Sequence, residues 1–121
     1  MRVALESLLL SFHVNAIYNG HVHAYQRTHY VANNTVVDPA SGDRGMYHFM
    51  VGTSGKELYQ QWQEPAFPWV AQRNATFWGP AFFDAPNATH ARFRIHCAEG
   101  DTYTCDASQP FDEFWFTNTA I

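Results

Sequence analysis

Hydrophobic and polar positions change period along this 121-residue chain, and each change marks a predicted element. Leu5, Leu8, Leu9 and Phe12 recur three and four apart, which predicts an amphipathic helix over residues 1–11. Arg2 ahead of apolar residues resembles the start of a secretory leader, but Glu6 interrupts the apolar run and the helix is the better reading. Residues 14–19 read as a short buried strand, and residues 46–51 as a near-continuous apolar strand that stops at a turn carrying Gly52 and Gly55. Between them, residues 33–45 form a polar surface excursion rich in turn residues. Residues 56–73 show no clear period. A short helix is expected at residues 57–62, with Pro65 and Pro68 breaking regularity after it, and Trp62, Phe67 and Trp69 are expected to pack on the body. From residue 75 the period becomes two. A strand is expected over 77–83, a return strand over 90–96 with Ala91, Phe93 and Ile95 on one face and Arg92, Arg94 and His96 on the other, and a closing strand over 111–116. A turn is expected at residues 99–101.

Composition adds bounds. With 46% hydrophobic and 15% charged residues the chain is globular rather than disordered, and it shows no internal repeat or linker that would divide it. Aromatic residues make up 17%, which suits a sheet-rich interior. A net charge of -4 with only seven Lys and Arg argues against a nucleic-acid groove or an anionic membrane surface, so neither nucleic acid nor membrane is an expected partner. No apolar run approaches the roughly 20 residues of a membrane-spanning helix.

The stretch with the most chemistry is Gly20-His21-Val22-His23-Ala24-Tyr25-Gln26-Arg27. Two strong metal ligands stand two apart behind a glycine, at the end of a predicted strand. In an extended backbone His21 and His23 would face the same way, with Val22 turned to the core and Gly20 allowing a sharp break. His13, His29, His48, His90 and His96 have no partner at ligand spacing and read as ordinary polar or half-buried histidines.

This octapeptide resembles the last of five metal-ligand blocks in the purple acid phosphatases, members of the calcineurin-like metallophosphoesterases. The Leu-Glu-x-Leu-Leu run near the start, the strand ending in a glycine-rich turn, the Asn-x-Thr-His turn at residues 87–90 and the Phe-Trp-Phe close are similar to the same family. The resemblance implies an α/β fold, α+β within this chain, namely the C-terminal part of a layered sandwich with one N-terminal helix and then mainly strands. It implies a dinuclear centre of iron(III) with zinc, iron or manganese, His21 on the divalent ion and His23 on the ferric ion, with Gly20, Tyr25 and Arg27 orienting the ligands or packing the rim. The implied reaction is hydrolysis of small phosphate monoesters. Gln26 departs from the usual glutamate and Ser54 from a usual glycine.

The family's Asp-x-Gly, Gly-Asp-x-x-Tyr, Gly-Asn-His and Val-x-x-His blocks are absent, and Gly100-Asp101-Thr102-Tyr103 is one residue short of the second. Residues 1–121 are therefore expected to be a partial catalytic domain whose partner is the upstream part of the same domain, with Met1 internal to a longer protein and the isolated chain inactive. Two other readings stay open. One is a non-catalytic secreted glycoprotein of the same fold. The other is a carbohydrate-binding module, favoured if Trp62, Trp69 and Trp78 lie exposed in one line.

Compartment is addressed by three acceptor patterns for N-glycosylation, at Asn33, Asn74 and Asn87, where roughly one is expected by chance. Cys97 and Cys105 flank the turn at residues 99–101, where a bridge would clip two strand ends; two buried thiols are the other reading. Both signals favour the secretory route, to the cell exterior or a vacuolar or lysosomal compartment.

Overall fold

A computed structural model describes residues 2–98 and 106–119. Cys105, the expected turn at residues 99–101 and Gly100-Asp101-Thr102-Tyr103 lie outside the described residues.

The helical spacing at the start is realised as α1, Arg2–Ser11. It ends in a Schellman cap: His13 takes a left-handed φ of 56°, its N–H donates to the Leu10 carbonyl at 3.1 Å, and Val14 N–H donates to Leu9 at 3.1 Å. The expected apolar stripe is only partly buried. Leu9 lines a cavity shared with Ile17, Met46 and Trp69, whereas Leu5 is 48%, Leu8 52% and Phe12 75% exposed.

Nine strands come after it among the described residues: β1 (Ala16–Asn19), β2 (Tyr25–Thr28), β3 (Val31–Ala32), β4 (Thr35–Val36), β5 (Tyr47–Val51), β6 (Val70–Asn74), β7 (Ala81–Asp84), β8 (His90–His96) and β9 (Pro110–Thr117). They form a four-stranded sheet ordered β1-β5-β2-β6, a three-stranded sheet ordered β7-β8-β9, and the small β3-β4 hairpin. In the first sheet β1 lies parallel to β5, while β2 runs antiparallel to both β5 and β6. The hairpin turns through Asn33 and Asn34, both with positive φ, so the expected polar excursion begins as an ordered ladder.

The two larger sheets face each other across an aromatic core. Tyr25, Phe49, Phe77, Phe93, Ile95, Cys97 and Phe116 are buried together, and the Phe49 and Phe93 rings meet at 4.4 Å between centroids. The expected faces of β8 hold: Phe93 and Ile95 are buried, while Arg92, Arg94 and His96 are half-exposed. Cys97 is disulfide-bonded, and none of the described cysteines is free. No helix among the described residues is long and apolar enough to cross a membrane.

Three expectations about elements are corrected. No helix forms at residues 57–62, because the Lys56 and Glu57 carbonyls, which a helix would use internally, accept from Trp78 and His23 instead. β6 was hidden because Val70-Ala71-Gln72-Arg73-Asn74 does not alternate; it forms by backbone pairing to β2 at the sheet edge. The strand expected over 77–83 shrinks to β7, since Phe77 is drawn into the core and Gly79 bonds to Thr53. Of the aromatic residues expected to pack on the body, Trp62 and Trp69 are half-buried but Phe67 is exposed, stacked on Trp69 at 5.1 Å.

Candidate metal centre

The loop at residues 20–24 leaves the end of β1 and enters β2, and it is not extended. Val22 N–H donates to the Gly20 carbonyl at 3.0 Å and Ala24 N–H to the Val22 carbonyl at 2.8 Å, two tight turns in succession centred on His21 and His23. His21 carries φ 74°, a conformation that a residue with a side chain takes at a cost of about 1–3 kcal/mol. Strand alternation is therefore not what orients the pair, and Val22 is 37% exposed rather than turned to the core. Gly20 has no left-handed φ and open space where a Cβ would stand. The break expected at Gly20 is borne by His21.

The glycine this loop requires is Gly52, at the end of β5. A Cβ there would lie 1.9 Å from the Val22 carbonyl oxygen, and Gly52 N–H donates to Ala24 at 3.0 Å. The strand end thus presses directly against the backbone between the two histidines.

His21 and His23 reach one shallow depression, lined also by Val22, Glu57, Leu58 and Tyr59. His23 Nδ1 lies 2.9 Å from the Glu57 carbonyl, which only accepts, so Nδ1 carries the proton and, in the neutral imidazole, Nε2 keeps the lone pair. A histidine prepared as a metal ligand looks like this. His21 is exposed at the mouth. In kind, two imidazoles, one of them with Nδ1 committed to a carbonyl, fit a divalent or ferric ion; in number they fall short, since no cluster of three or more His, Cys, Asp or Glu able to hold a metal occurs among the described residues.

Tyr25 and Arg27 do not turn to the histidines. Tyr25 is fully buried and its hydroxyl donates to Asp112 at 2.5 Å, while Arg27 Nε donates to the same carboxylate at 2.8 Å and its guanidinium lies over the Phe114 ring at 4.2 Å. Burial first, then the Asp112 carboxylate, pushes the Tyr25 hydroxyl far above the usual phenol range. Asp112 offsets the burial of Arg27 and keeps it charged. These side chains clasp β2 to β9. Asp112 was not singled out by sequence, where it reads as one polar position in a closing strand.

Asn33 and Asn87 are exposed and Asn74 is half-buried at the end of β6. Asn74 Oδ1 accepts from Thr76 N–H and hydroxyl at 2.7 and 2.9 Å, and Asn87 Oδ1 accepts from Thr89 N–H and hydroxyl at 2.9 and 2.8 Å. Trp62, Trp69 and Trp78 do not form an open platform: Arg73 lies over Trp62, Trp69 stacks on Phe67, and of the three only Trp78 is clearly exposed.

No family model matches the chain. A purple acid phosphatase of soybean (Glycine max) is 31% identical over 124 residues, covering 95% of this chain and 26% of the relative. The structure aligns with that of a purple acid phosphatase from yellow lupin (Lupinus luteus) seeds with a TM-score of 0.76 at 19% identity, covering 93% of this chain and 19% of the lupin chain. Over nearly its whole length the chain is similar to one part of the purple acid phosphatases. Another relative in that family, named Fe(3+)-Zn(2+) purple acid phosphatase 12, from Arabidopsis thaliana, is 27% identical over 124 residues. The chain spans about a quarter of the length of the curated relatives it matches. Its α/β class, with one helix and mostly sheet, agrees with the fold of the lupin purple acid phosphatase.

Proposed function

We propose that this chain is the C-terminal part of an acid phosphatase that hydrolyses phosphate monoesters at a dinuclear metal centre, to which His21 and His23 each give one ligand. The observation that carries the reading is the fixed tautomer of His23, whose Nδ1 bond to the Glu57 carbonyl leaves Nε2 to coordinate beside an exposed His21. His21 would hold the divalent ion, zinc, iron or manganese, and His23 the ferric ion. The name of the Arabidopsis iron–zinc relative supports that metal pairing. When bound, such a pair activates water and neutralises charge on the phosphoryl oxygens during in-line displacement. This chain's own residues hold the two rings at the mouth, with Gly52 fixing the loop behind them and Val22, Leu58 and Tyr59 giving the depression an apolar wall. The remaining ligands and the rest of the domain lie upstream, which also makes that segment the principal protein partner. Sequons at Asn33, Asn74 and Asn87 and the Cys97 disulfide support a secreted or vacuolar glycoprotein.

In the complete protein, His21→Ala and His23→Ala should each remove one ion by metal analysis and nearly all aryl phosphatase activity. Two tightly held ions in both variants would overturn the ligand assignment. The 121 residues alone should show no turnover with added iron and zinc, since each ion would have a single protein ligand. Robust activity from the chain alone would overturn the partial-domain reading, and a complete, metal-loaded but inactive protein would favour the non-catalytic one.

A further inference from the structure

Residues 56–60 cross the depression as a strap tied down on both sides of its contact with His23. Trp78 Nε1 donates to the Lys56 carbonyl at 2.6 Å, and Gln60 Nε2 donates to the Ala75 carbonyl at 3.1 Å. Between these anchors the Tyr59 N–H donates to the His23 carbonyl at 2.8 Å, and the Glu57 carbonyl accepts from His23 Nδ1 at 2.9 Å. The anchors are themselves fixed. Gly79 N–H donates to the Thr53 carbonyl and the Thr53 hydroxyl donates to the Gly79 carbonyl, both at 3.0 Å, and a Cβ on Gly79 would lie 1.7 Å from the His96 carbonyl oxygen. Residues 75–79 therefore form a rail against β8, and the strap hangs from it.

Trp78 is 42% exposed and lies outside the buried core cluster, so ring burial does not account for its place. What distinguishes it is the indole N–H, a donor-only group aimed at the strap backbone one residue before Glu57. We propose that Trp78 and Gln60 are positioning residues for His23. They act through the strap, holding the Glu57 carbonyl where it takes the Nδ1 proton and so presenting Nε2 to the metal. The inference rests on the reading of His23 as a ligand and adds to it two residues that tie the strap on either side of its contact with His23.

The test uses the complete metal-loaded protein and titrates each ion away with a competing chelator. Trp78→Phe keeps a flat ring and removes the N–H; Gln60→Leu removes the second anchor. Each should weaken the ion held by His23 about tenfold or more and leave the ion held by His21 unchanged, in line with losses seen when the outer partner of a metal-bound histidine is removed. In the metal-free protein, imidazole 15N signals of His23 should change from one tautomer to a mixture. Trp115→Phe is the control, because it deletes an indole N–H that bonds Glu113 on the other sheet, at 3.2 Å. Wild-type affinity in both strap variants, or an equal loss in Trp115→Phe, would overturn the proposal. If Trp78→Phe does not fold, Gln60→Leu decides alone. If His23→Ala strips an ion and the strap variants do not, only the positioning role falls; if His23→Ala strips nothing, the ligand reading falls first.

Discussion

His21 bears backbone strain in the loop that presents its ring, and Gly52, which has no Cβ, lets that loop close against the end of β5. The two glycines near the loop should behave oppositely. Gly52→Ala puts a methyl 1.9 Å from the Val22 carbonyl oxygen, so the loop must move; a loss of about 1–3 kcal/mol and at least tenfold weaker metal retention are expected. Gly20→Ala meets no atom within 4 Å and no left-handed φ, and should change stability by under about 1 kcal/mol. Denaturation midpoints and metal analysis of the two variants check the order, and a tolerated Gly52→Ala would refute it. A second residue-scale prediction concerns His48 on β5. Burial lowers its pKa, with Glu6 on α1 pulling weakly the other way. The unfolded chain then binds the proton more readily than the folded one, so this contribution is fully present above the ordinary histidine range and is lost as pH falls through it. Metal-free protein should lose stability between pH 7 and pH 5, and His48→Gln should flatten that slope; an unchanged slope would count against it.

Among the elements, β2 carries two unrelated tasks, and its sequence does not separate them. The loop before it presents the histidines, while Tyr25 and Arg27 within it reach across to Asp112 on β9, with both ion-pair side chains nearly buried, 12% and 10% exposed. Removing one partner of such a pair leaves an uncompensated charge. Asp112→Ala should therefore cost about 3–5 kcal/mol in chemical denaturation, well above the roughly 1 kcal/mol expected for Tyr25→Phe. Equal costs would mean the clasp is not what joins these strands. Position in the octapeptide made Tyr25 and Arg27 look like neighbours of the histidine pair, because nothing in a sequence tells which sheet a buried hydroxyl will meet. Residues 56–60 show the converse: a weak helical pattern yields to three tertiary hydrogen bonds on its backbone carbonyls and amides, with a fourth from the Gln60 side chain.

At the scale of the molecule, the sandwich leaves Asn87 on an exposed turn where Oδ1 already accepts from Thr89 and His90, so Nδ2 is the amide atom left for a glycan; Asn74 is half-buried at a sheet edge. Glycopeptide mass spectrometry of secreted protein should find Asn87 more fully occupied than Asn74, and unmodified Asn87 there would contradict the secretory reading. The segments with the strongest patterns were legible from sequence alone: α1 by its helical spacing, β5 by its apolar run, β8 by an alternation that buries Phe93 and Ile95, and β9 as the closing strand. The His-x-His spacing likewise marked the two histidines that the fold brings to one depression, because residue type is read directly from the sequence. How the pair is held was decided only by the tertiary structure. A γ-turn at His21, the approach of Gly52, the Glu57 carbonyl on Nδ1 and the partner of Tyr25 all depend on backbone atoms and distant strands, and backbone atoms are the same at every position of a sequence until the fold brings particular ones together.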